Sequence, residues 1–284
     1  MSLRGTLDVM TATVQRATSV PMTVDFLRAS LAQEGDAVAA EGILRLLPET
    51  FTSDELDGLL DSSALDNPYR DERGGLLERI RRTASSNYRL TFPADAHVSS
   101  RVIVPNSAVE SNGIEDVRFI RFDEGGSEVT YLGTYTAFDG THVAPHLMRT
   151  KDFATFEAGP MIGPAAQNKG MALFPRKIDG RYAMVARQDN ENLYLVYSDD
   201  LHRWEGGQPI LKPQFPWEFV QIGNCGSPIE LEEGWLLLTH GVGPVRKYSI
   251  GAALLDVPRD SFLLSTKVGR ILVPDPSAPR NQHG

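Results

Sequence analysis

The first third of the chain and the remainder differ in the spacing of their apolar residues. Over residues 23–47 apolar side chains fall at roughly helical intervals, and the same spacing returns over 73–84. Between these stretches, Ser53 is a residue type that caps helices, and the acidic Glu55 suits the first turn of a short helix. The pattern predicts a helical segment over residues 1–94, which we interpret as packing against a following β-rich domain.

From about residue 88 onward, short runs of β-branched and aromatic residues alternate with turns. Turns rich in Asp, Glu and Gly occupy 123–126, 179–180 and 232–234, at a spacing of roughly 54 residues. One strand is predicted before each turn and one after it, and two units add a third strand with related tails, KDFATFEAG and SDDLHRWEGG. Such a repeat predicts a radial β-propeller in which the first strand of each unit lines the axis, while a β-sandwich is the alternative.

Composition narrows the class of protein and of partner. The 284 residues are 41% apolar and 23% charged, which is ordinary for a globular protein. A net charge of −9 argues against a nucleic-acid partner, and no apolar run reaches the roughly 18 residues of a membrane span. The single cysteine, Cys225, excludes an internal disulfide, and together with the lack of a signal-peptide pattern it favours the cytoplasm.

Polar and glycine-rich residues gather at equivalent places in the three units. The segments 111–118, 167–172 and 221–227 lie just before or on the predicted first strands, and each is more polar than the strands that follow. Glycine permits close approach of the backbone to a ligand, and Asn, Lys, Asp and Arg side chains bind hydroxyls or anions. We therefore expect these segments to face one central cavity.

Two adjacent carboxylates stand in the first of these segments. Glu115 and Asp116 should point to opposite faces of a regular strand, so that only one of them faces the cavity. Cleavage of a glycosidic bond needs a carboxylic acid that protonates the departing oxygen. With Arg118 nearby, an ion-pair or turn role and a general-acid role for Asp116 are equally open on the residues alone.

Other polar residues near predicted strand ends are candidates for binding a sugar or an anion, and each has a structural alternative. A metal site is not indicated, because no paired His or Cys spacing occurs, and no Walker A, dinucleotide or nucleophile-elbow glycine pattern is present. The candidates are Tyr135, Thr136, Arg187, Asp189, His240 and the basic pair Arg246 and Lys247.

Eight short motifs follow one another over about residues 95–275. They are GIEDVRF, YTA, NKGMALFP, IDGRYAM, SDDLHRW, IGNCGSPI, GWLLLTHGV and IGAALLD. In this order the motifs resemble glycoside hydrolase family 130. The helical segment, with SNYRL just ahead of the β-rich part, is similar to the longer branch of that family.

The resemblance implies a mainly β fold of the five-bladed β-propeller type that cleaves β-mannosides with inversion at the anomeric carbon. Either inorganic phosphate attacks as a co-substrate and gives mannose 1-phosphate, or water attacks, and no other cofactor is implied. Asp116 matches the general acid, which acts through a sugar hydroxyl, and Lys169 and His240 match phosphate-binding positions, with Arg246 and Lys247 as further candidates. The residues predicted to contact an oligosaccharide or small sugar are Asn112, Glu115, Arg118, Tyr135, Thr136, Asn168, Arg187, Asp189 and Asn224.

Two departures from the family pattern modify that expectation. Gln221 stands where the phosphorylases carry a lysine before Ile-Gly, which removes one cationic phosphate contact. The domain 95–284 has the length of about three and a half blades at roughly 54 residues each, so we expect an incomplete propeller. Its open strand edges favour a homo-oligomer, and a non-catalytic sugar-binding propeller or an inactive truncated remnant is the alternative to an enzyme.

Overall fold

The structure is a computed structural model that describes residues 13–62, 70–256 and 263–272. Its helices are α1 (Val24–Gln33), α2 (Ala37–Leu44), α3 (Ser53–Leu60) and α4 (Arg70–Ala84). Its strands are β1 (Thr13–Val14), β2 (Arg16–Ser19), β3 (Met22–Thr23), β4 (Thr50–Phe51), β5 (Tyr88–Thr91), β6 (Arg101–Val102), β7 (Gly113–Phe122), β8 (Thr130–Phe138), β9 (Val143–Thr150), β10 (Thr155–Pro160), β11 (Ala172–Leu173), β12 (Tyr182–Ala186), β13 (Leu193–Ser198), β14 (Gly207–Leu211), β15 (Gln221–Asn224), β16 (Ile229–Leu231), β17 (Gly234–Val242), β18 (Tyr248–Asp256) and β19 (Leu263–Leu272). The expectation of a mainly β chain with helices near its start is confirmed.

The helical region differs in detail from the sequence pattern. The apolar spacing over 23–47 predicts one helix, but the structure divides it into α1 and α2. Gly35 follows α1 with a left-handed φ of 82°, which ends the helix at low cost because glycine has no side chain to oppose that conformation. The predicted cap, Ser53, is one residue late. Thr52 caps α3, since its side chain accepts from the Glu55 backbone N–H while the Glu55 carboxylate accepts from the Thr52 N–H.

The helices share a core of their own and also contact the β-rich part. Fully buried apolar side chains such as Leu31 and Ile80 pack between the helices. Arg82 of α4 forms an ion pair with Asp139, which follows β8. This ion pair links α4 to the loop after β8, while the packing of the helical segment against the β-rich domain and the division of the chain at residue 94 stay predictions. No helix among the described residues is long and apolar enough to cross a membrane.

Three larger antiparallel sheets follow one another along the chain. The strand order is β2-β5-β10-β9-β8-β7 in the first, β11-β12-β13-β14 in the second and β15-β17-β18-β19 in the third, where β16 also pairs with β17. Strands β2 and β5 come from the segment predicted as helical, so that segment also completes the first sheet. Two short pairs, β1 with β6 and β3 with β4, lie outside these sheets.

Apolar side chains hold the three sheets together face to face. The second sheet lies in the middle, where Met184 of β12 packs in one core with Leu132 of the first sheet. The next residue, Val185, packs in another core with Leu237 of the third sheet. Consecutive residues of β12 therefore enter different cores, as expected for a strand that is buried on both faces.

The three predicted turns join paired strands. The turn at 123–126 lies between β7 and β8, and the turn at 232–234 lies between β16 and β17. The turn at 179–180 lies between β11 and β12, and both of its residues have positive φ values, 49° and 78°. Such values are typical of two-residue hairpin turns. The predicted repeat of strand, turn and strand is confirmed in all three sheets.

Candidate active site

The polar segments of the three sheets lie side by side. Each polar segment overlaps one strand, β7, β11 or β15, and each of these strands lies at an edge of its sheet. Arg118 Nη1 on β7 donates to the carbonyl oxygen of Gly170, just before β11, at 2.6 Å. The N–H of Ile222 on β15 donates to the carbonyl oxygen of Glu191, in the loop after β12, at 3.1 Å. The structure thus brings segments 111–118, 167–172 and 221–227 into one neighbourhood.

Strand β7 is irregular at its two adjacent carboxylates. Glu115 lies opposite Thr136 of β8 and Arg118 lies opposite Thr134, so β7 contains one extra residue between them. Within this bulge Asp116 has a left-handed φ of 54°. That conformation costs about 1–3 kcal/mol for a residue other than glycine and is frequent at functional sites. The prediction that Glu115 and Asp116 alternate across a regular strand is wrong, because the strand is not regular there.

Two guanidinium groups approach one side of Gly170. A β-carbon on this glycine would lie 3.6 Å from Arg118 Nη1 and 3.9 Å from Arg187 Nη2. Arg187 is 5% exposed, and burial lowers its pKa, with the charge of Arg118 as the next cause. Burial also lowers the pKa of Arg118, while the charge of Asp116 opposes that change. One carboxylate therefore faces two cations that are largely removed from water.

His240 of β17 reaches the same place from the third sheet. Burial lowers its pKa to about 4, with the charges of Arg187 and Arg118 as the next causes, so the ring is neutral near pH 7. Gly223 of β15 makes room for both side chains, because a β-carbon there would lie 2.4 Å from His240 Nε2 and 3.0 Å from Arg187 Nη1. The thiol sulfur of Cys225 lies 3.9 Å from His240 Nδ1.

The groups that act on one another at this edge form what we call the central cluster: Asp116, Arg118, Arg187 and His240. Two predicted residues border it. Lys169 Nζ lies 3.8 Å from Glu115 Oε2, so this predicted phosphate ligand is paired with a carboxylate of the bulge. Asn168 has a left-handed φ of 62°, and its Nδ2 donates to the carbonyl oxygen of Gln188 at 2.7 Å. These contacts tie segment 167–172 to both neighbouring elements.

Several predicted substrate contacts are engaged within the fold. Tyr135 is buried, and its hydroxyl donates to Glu110 Oε1 at 2.7 Å. Thr136 is buried on β8. Asp189 accepts hydrogen bonds from the Asn192 backbone and from the Tyr194 hydroxyl, which fixes its own loop. Tyr135 and Thr136 therefore lie outside the central cluster, while Asp189 borders it, because its charge acts on Arg187.

The remaining predicted residues are distributed differently. Asn224 is buried, and its Nδ2 donates to the carbonyl oxygen of Gly226 at 3.3 Å. Asn112 is exposed just before β7. Arg246 and Lys247 are exposed in the turn after β17, and in the described part of the chain no contact joins their side chains to the central cluster.

Sequence reasoning missed three members of this neighbourhood: Gly170, Gly223 and Cys225. All three lie in the segments singled out for their polarity, so a signal was present. The signal could not single them out, because Gly170 is required by its left-handed φ of 85° and Gly223 by the His240 and Arg187 side chains that come from other strands. Within the described ranges no group of three His, Cys, Asp or Glu side chains is placed to hold a metal ion.

Comparison with known proteins identifies one family and several relatives. The profile of the family described as Glyco_hydro_130, beta-1,4-mannooligosaccharide phosphorylase, matches residues 85–278. A 1,2-beta-oligomannan phosphorylase from Thermoanaerobacter sp. (strain X514) is 32% identical over 170 residues, which cover 58% of this chain and 55% of the relative. A beta-1,2-mannobiose phosphorylase from Listeria innocua is 31% identical over 204 residues, which cover 68% of this chain and 55% of the relative.

One solved structure shares the fold at a useful level of identity. It is the beta-1,2-mannobiose phosphorylase from Listeria innocua in complex with beta-1,2-mannobiose, with a TM-score of 0.51 and 26% identity. The similarity covers 64% of this chain and 52% of that chain. The chain thus spans about half the length of the relatives it matches. The matched range of the family includes every residue of the central cluster.

Proposed function

The chain belongs to glycoside hydrolase family 130, and from this premise we propose that it cleaves β-mannosides by phosphorolysis. Inorganic phosphate is the proposed co-substrate, and an oligosaccharide or small sugar is the mannoside. The product is mannose 1-phosphate, formed with inversion at the anomeric carbon. Two curated relatives are phosphorylases of β-linked mannosides, which supports this substrate class. The proposed chemistry needs no further cofactor.

An excess of buried positive charge in the central cluster carries the proposal. Arg118 and Arg187 approach the same side of Gly170, Arg187 buried and Arg118 partly buried. The carboxylates whose charges act on Arg187, Asp116 and Asp189, are both exposed. Buried charges are costly unless they are paired, and the planar guanidinium group suits two oxygens of one phosphate. A phosphate beside Gly170 balances the two cations, and neutral His240 can donate one further hydrogen bond to it.

Asp116 is the proposed general acid. A phosphate oxygen attacks the anomeric carbon on the face opposite the leaving oxygen, and the new C–O bond forms as the glycosidic C–O bond breaks. The carboxyl proton of Asp116 passes through a sugar hydroxyl to the departing oxygen. The carboxylate that remains faces the positive charge of Arg118 and Arg187. The bulge in β7 supports this role, because it gives Asp116 a backbone conformation that differs from that of its neighbours.

Direct hydrolysis is the less favoured reaction at this site. An inverting hydrolase needs a second carboxylate that activates water. Glu115 is adjacent to Asp116, but its carboxylate is already paired with Lys169 at 3.8 Å. The described charges therefore favour an anionic nucleophile over a water molecule that must first be deprotonated.

We also propose a finer description of the fold. Three stacked sheets with polar first strands support a five-bladed β-propeller, with residues 95–284 as blades and residues 1–94 packed against them. Leu238 and Ile250 are partly exposed on the third sheet, on the face opposite the Leu237 core, which supports self-association into a homo-oligomer. Sedimentation velocity tests this assembly directly, and a monomer at all concentrations contradicts it.

A turnover assay tests the proposed function. The purified chain is incubated with β-1,2- and β-1,4-linked mannobiose, each with and without inorganic phosphate. We expect mannose 1-phosphate in the presence of phosphate and none from the Asp116→Asn variant. Asp95→Asn makes the same chemical change at an exposed turn and should keep full activity. Release of free mannose independent of phosphate, or sugar binding without any turnover, contradicts the proposal.

A further inference from the structure

Gln221 lies between Arg187 and the loop that follows it. Its side-chain Oε1 accepts from Arg187 Nη1 at 3.1 Å, and its side-chain Nε2 donates to the backbone carbonyl oxygen of Asn190 at 3.2 Å. The reverse orientation of the amide would place oxygen against oxygen and N–H against N–H, so the hydrogen-bond network determines the orientation. Asn190 is itself fixed in a tight turn, with a φ of 61° and its N–H donating to the Arg187 carbonyl oxygen at 3.0 Å.

The surroundings of Arg187 give this contact its importance. The side chain is 5% exposed, and its Nε has no hydrogen-bond partner among the described residues. Within the described part of the chain no carboxylate forms an ion pair with it, and the first charge that acts on it is that of Arg118. A guanidinium group offers five N–H donors. The amide of Gln221 accepts from one of them without neutralising the charge, and the exposed carboxylates that act on Arg187, Asp116 and Asp189, form no ion pair with it among the described residues.

A neutral acceptor at this position differs from a charged one in a specific way. Glutamate has nearly the same shape as glutamine, but its carboxylate would pair with Arg187 and cancel the charge that attracts an anion. An apolar residue of similar length would leave the charge and remove the orientation. The residue at position 221 therefore affects both the orientation of the Arg187 side chain and the net charge beside it, and the two substitutions change these properties separately.

We propose that Gln221 is a positioning residue that directs Arg187 toward Gly170 and keeps its charge available to an anionic co-substrate. This inference rests on the proposed phosphorolysis. Gln221 lacks the cationic contact of the lysine that the phosphorylases carry at this position, and it contributes to phosphate binding through the orientation of Arg187. Gln221 itself need not touch the sugar. Its substitution should act on phosphate binding and leave mannoside binding nearly unchanged.

Calorimetric titration with inorganic phosphate tests the inference without turnover. We expect Gln221→Glu to raise the dissociation constant for phosphate at least ~10-fold and Gln221→Met to raise it about 3-fold. In turnover assays the KM for phosphate should rise in the same order, while the KM for mannobiose changes less than about 2-fold. Gln208→Glu makes the same change on exposed β14 and should alter neither constant.

The outcomes separate this inference from the proposed function. Phosphate binding that weakens in the predicted order, without any mannoside cleavage, supports the role of Gln221 and contradicts phosphorolysis. Equal effects of the Glu and Met substitutions contradict the inference, because the charge at position 221 would then not control phosphate binding. An unchanged dissociation constant in both variants, or no phosphate binding by the unmodified protein, overturns the inference. The Met variant keeps the test decisive if the Glu variant does not fold.

Discussion

Glu110 and Arg187 are both buried charged residues, but they differ in how many hydrogen-bond partners the fold supplies to each. Glu110 is fully buried just ahead of β7. Its Oε1 accepts from the hydroxyl groups of Tyr88 at 2.6 Å and Tyr135 at 2.7 Å. Its Oε2 accepts from two backbone N–H groups and from the hydroxyl group of Ser107. Each oxygen of this carboxylate is engaged by the protein itself.

Arg187 shows the reverse. Its Nε has no partner among the described residues, one hydrogen bond joins it to Gln221, and Arg118 adds a second positive charge nearby. Buried polar groups in folded proteins are nearly always paired, so an incompletely paired one requires a reason. The comparison teaches that burial alone does not distinguish a structural charge from a functional one. The number of partners supplied by the fold does.

Removal of the incompletely paired charge should have the largest effect, and it should fall on activity. We expect Arg187→Met to lower kcat/KM for phosphate by roughly 10²–10³-fold, because it removes a preorganised donor at the reacting anion. Stability should stay the same or rise, since a buried charge without an ion pair among the described residues is replaced by an apolar side chain. Steady-state kinetics and urea denaturation measure the two effects. Arg121→Met, at an exposed position of β7, is the control, and a large loss of stability in Arg187→Met would remove the contrast with Glu110.

Removal of the fully paired charge should instead destabilise the fold. We expect Glu110→Ala to lower the free energy of unfolding by about 3 kcal/mol, because two tyrosine hydroxyls and two backbone N–H groups lose their acceptor. Chemical denaturation measures the loss. Glu157→Ala breaks an exposed ion pair with Arg89 and should cost less than about 1 kcal/mol. Equal costs in the two variants would contradict the account of Glu110.

Acid should destabilise the central cluster through His240. Its folded pKa of about 4 lies below the ordinary histidine pKa of 6.5, so the unfolded chain binds the proton more readily between these values. The stability that depends on the neutral ring is complete above pH 6.5 and is lost as the pH falls toward 4. Comparison of unfolding free energies at pH 7 and pH 4.5 should show a loss about 1 kcal/mol smaller in His240→Gln, with the partial exposure of the ring allowed for. Identical losses would show that the ring is not held neutral.

Cys225 offers a smaller but direct readout of the cluster. It is exposed and is the single cysteine of the chain, and partial burial of its thiol group raises the thiol pKa. Alkylation by N-ethylmaleimide should therefore accelerate as the pH rises above neutrality. Phosphate with mannobiose should slow the reaction about 3-fold, because Cys225 lies beside His240. Protection by chloride at the same ionic strength would indicate an effect of salt alone.

The sequence was informative wherever local rules decide structure. The three hairpin turns, the strands beside them and the polar segments before them could be placed from residue types and spacing, because these features depend on neighbours in the chain. The same reasoning pointed to Asp116, Arg118, Arg187 and His240, which the structure brings together. Their roles in catalysis and binding stay proposals.

The sequence was uninformative wherever distant residues decide structure. The bulge at Asp116 depends on the register between β7 and β8. Strands β2 and β5 are only four residues long, and they form because β5 pairs with both β2 and the distant β10. Tyr135 was a candidate for contact with a sugar, but its hydroxyl donates to Glu110, which lies 25 residues earlier. The proposed role of Gln221 could be inferred only from its hydrogen bond with Arg187. Each of these features is set by tertiary pairing, which residue spacing does not contain.

Phosphate binding by three proteins tests the central claim most directly. Inorganic phosphate is titrated calorimetrically into the unmodified chain, Arg187→Met and Asp116→Asn. If the arginine pair holds the co-substrate and Asp116 supplies the proton, binding is at least ~10-fold weaker in Arg187→Met. It is retained or tightened in Asp116→Asn, which has lost a neighbouring negative charge but also the proposed acid. Equal affinity in the unmodified chain and Arg187→Met would contradict the account.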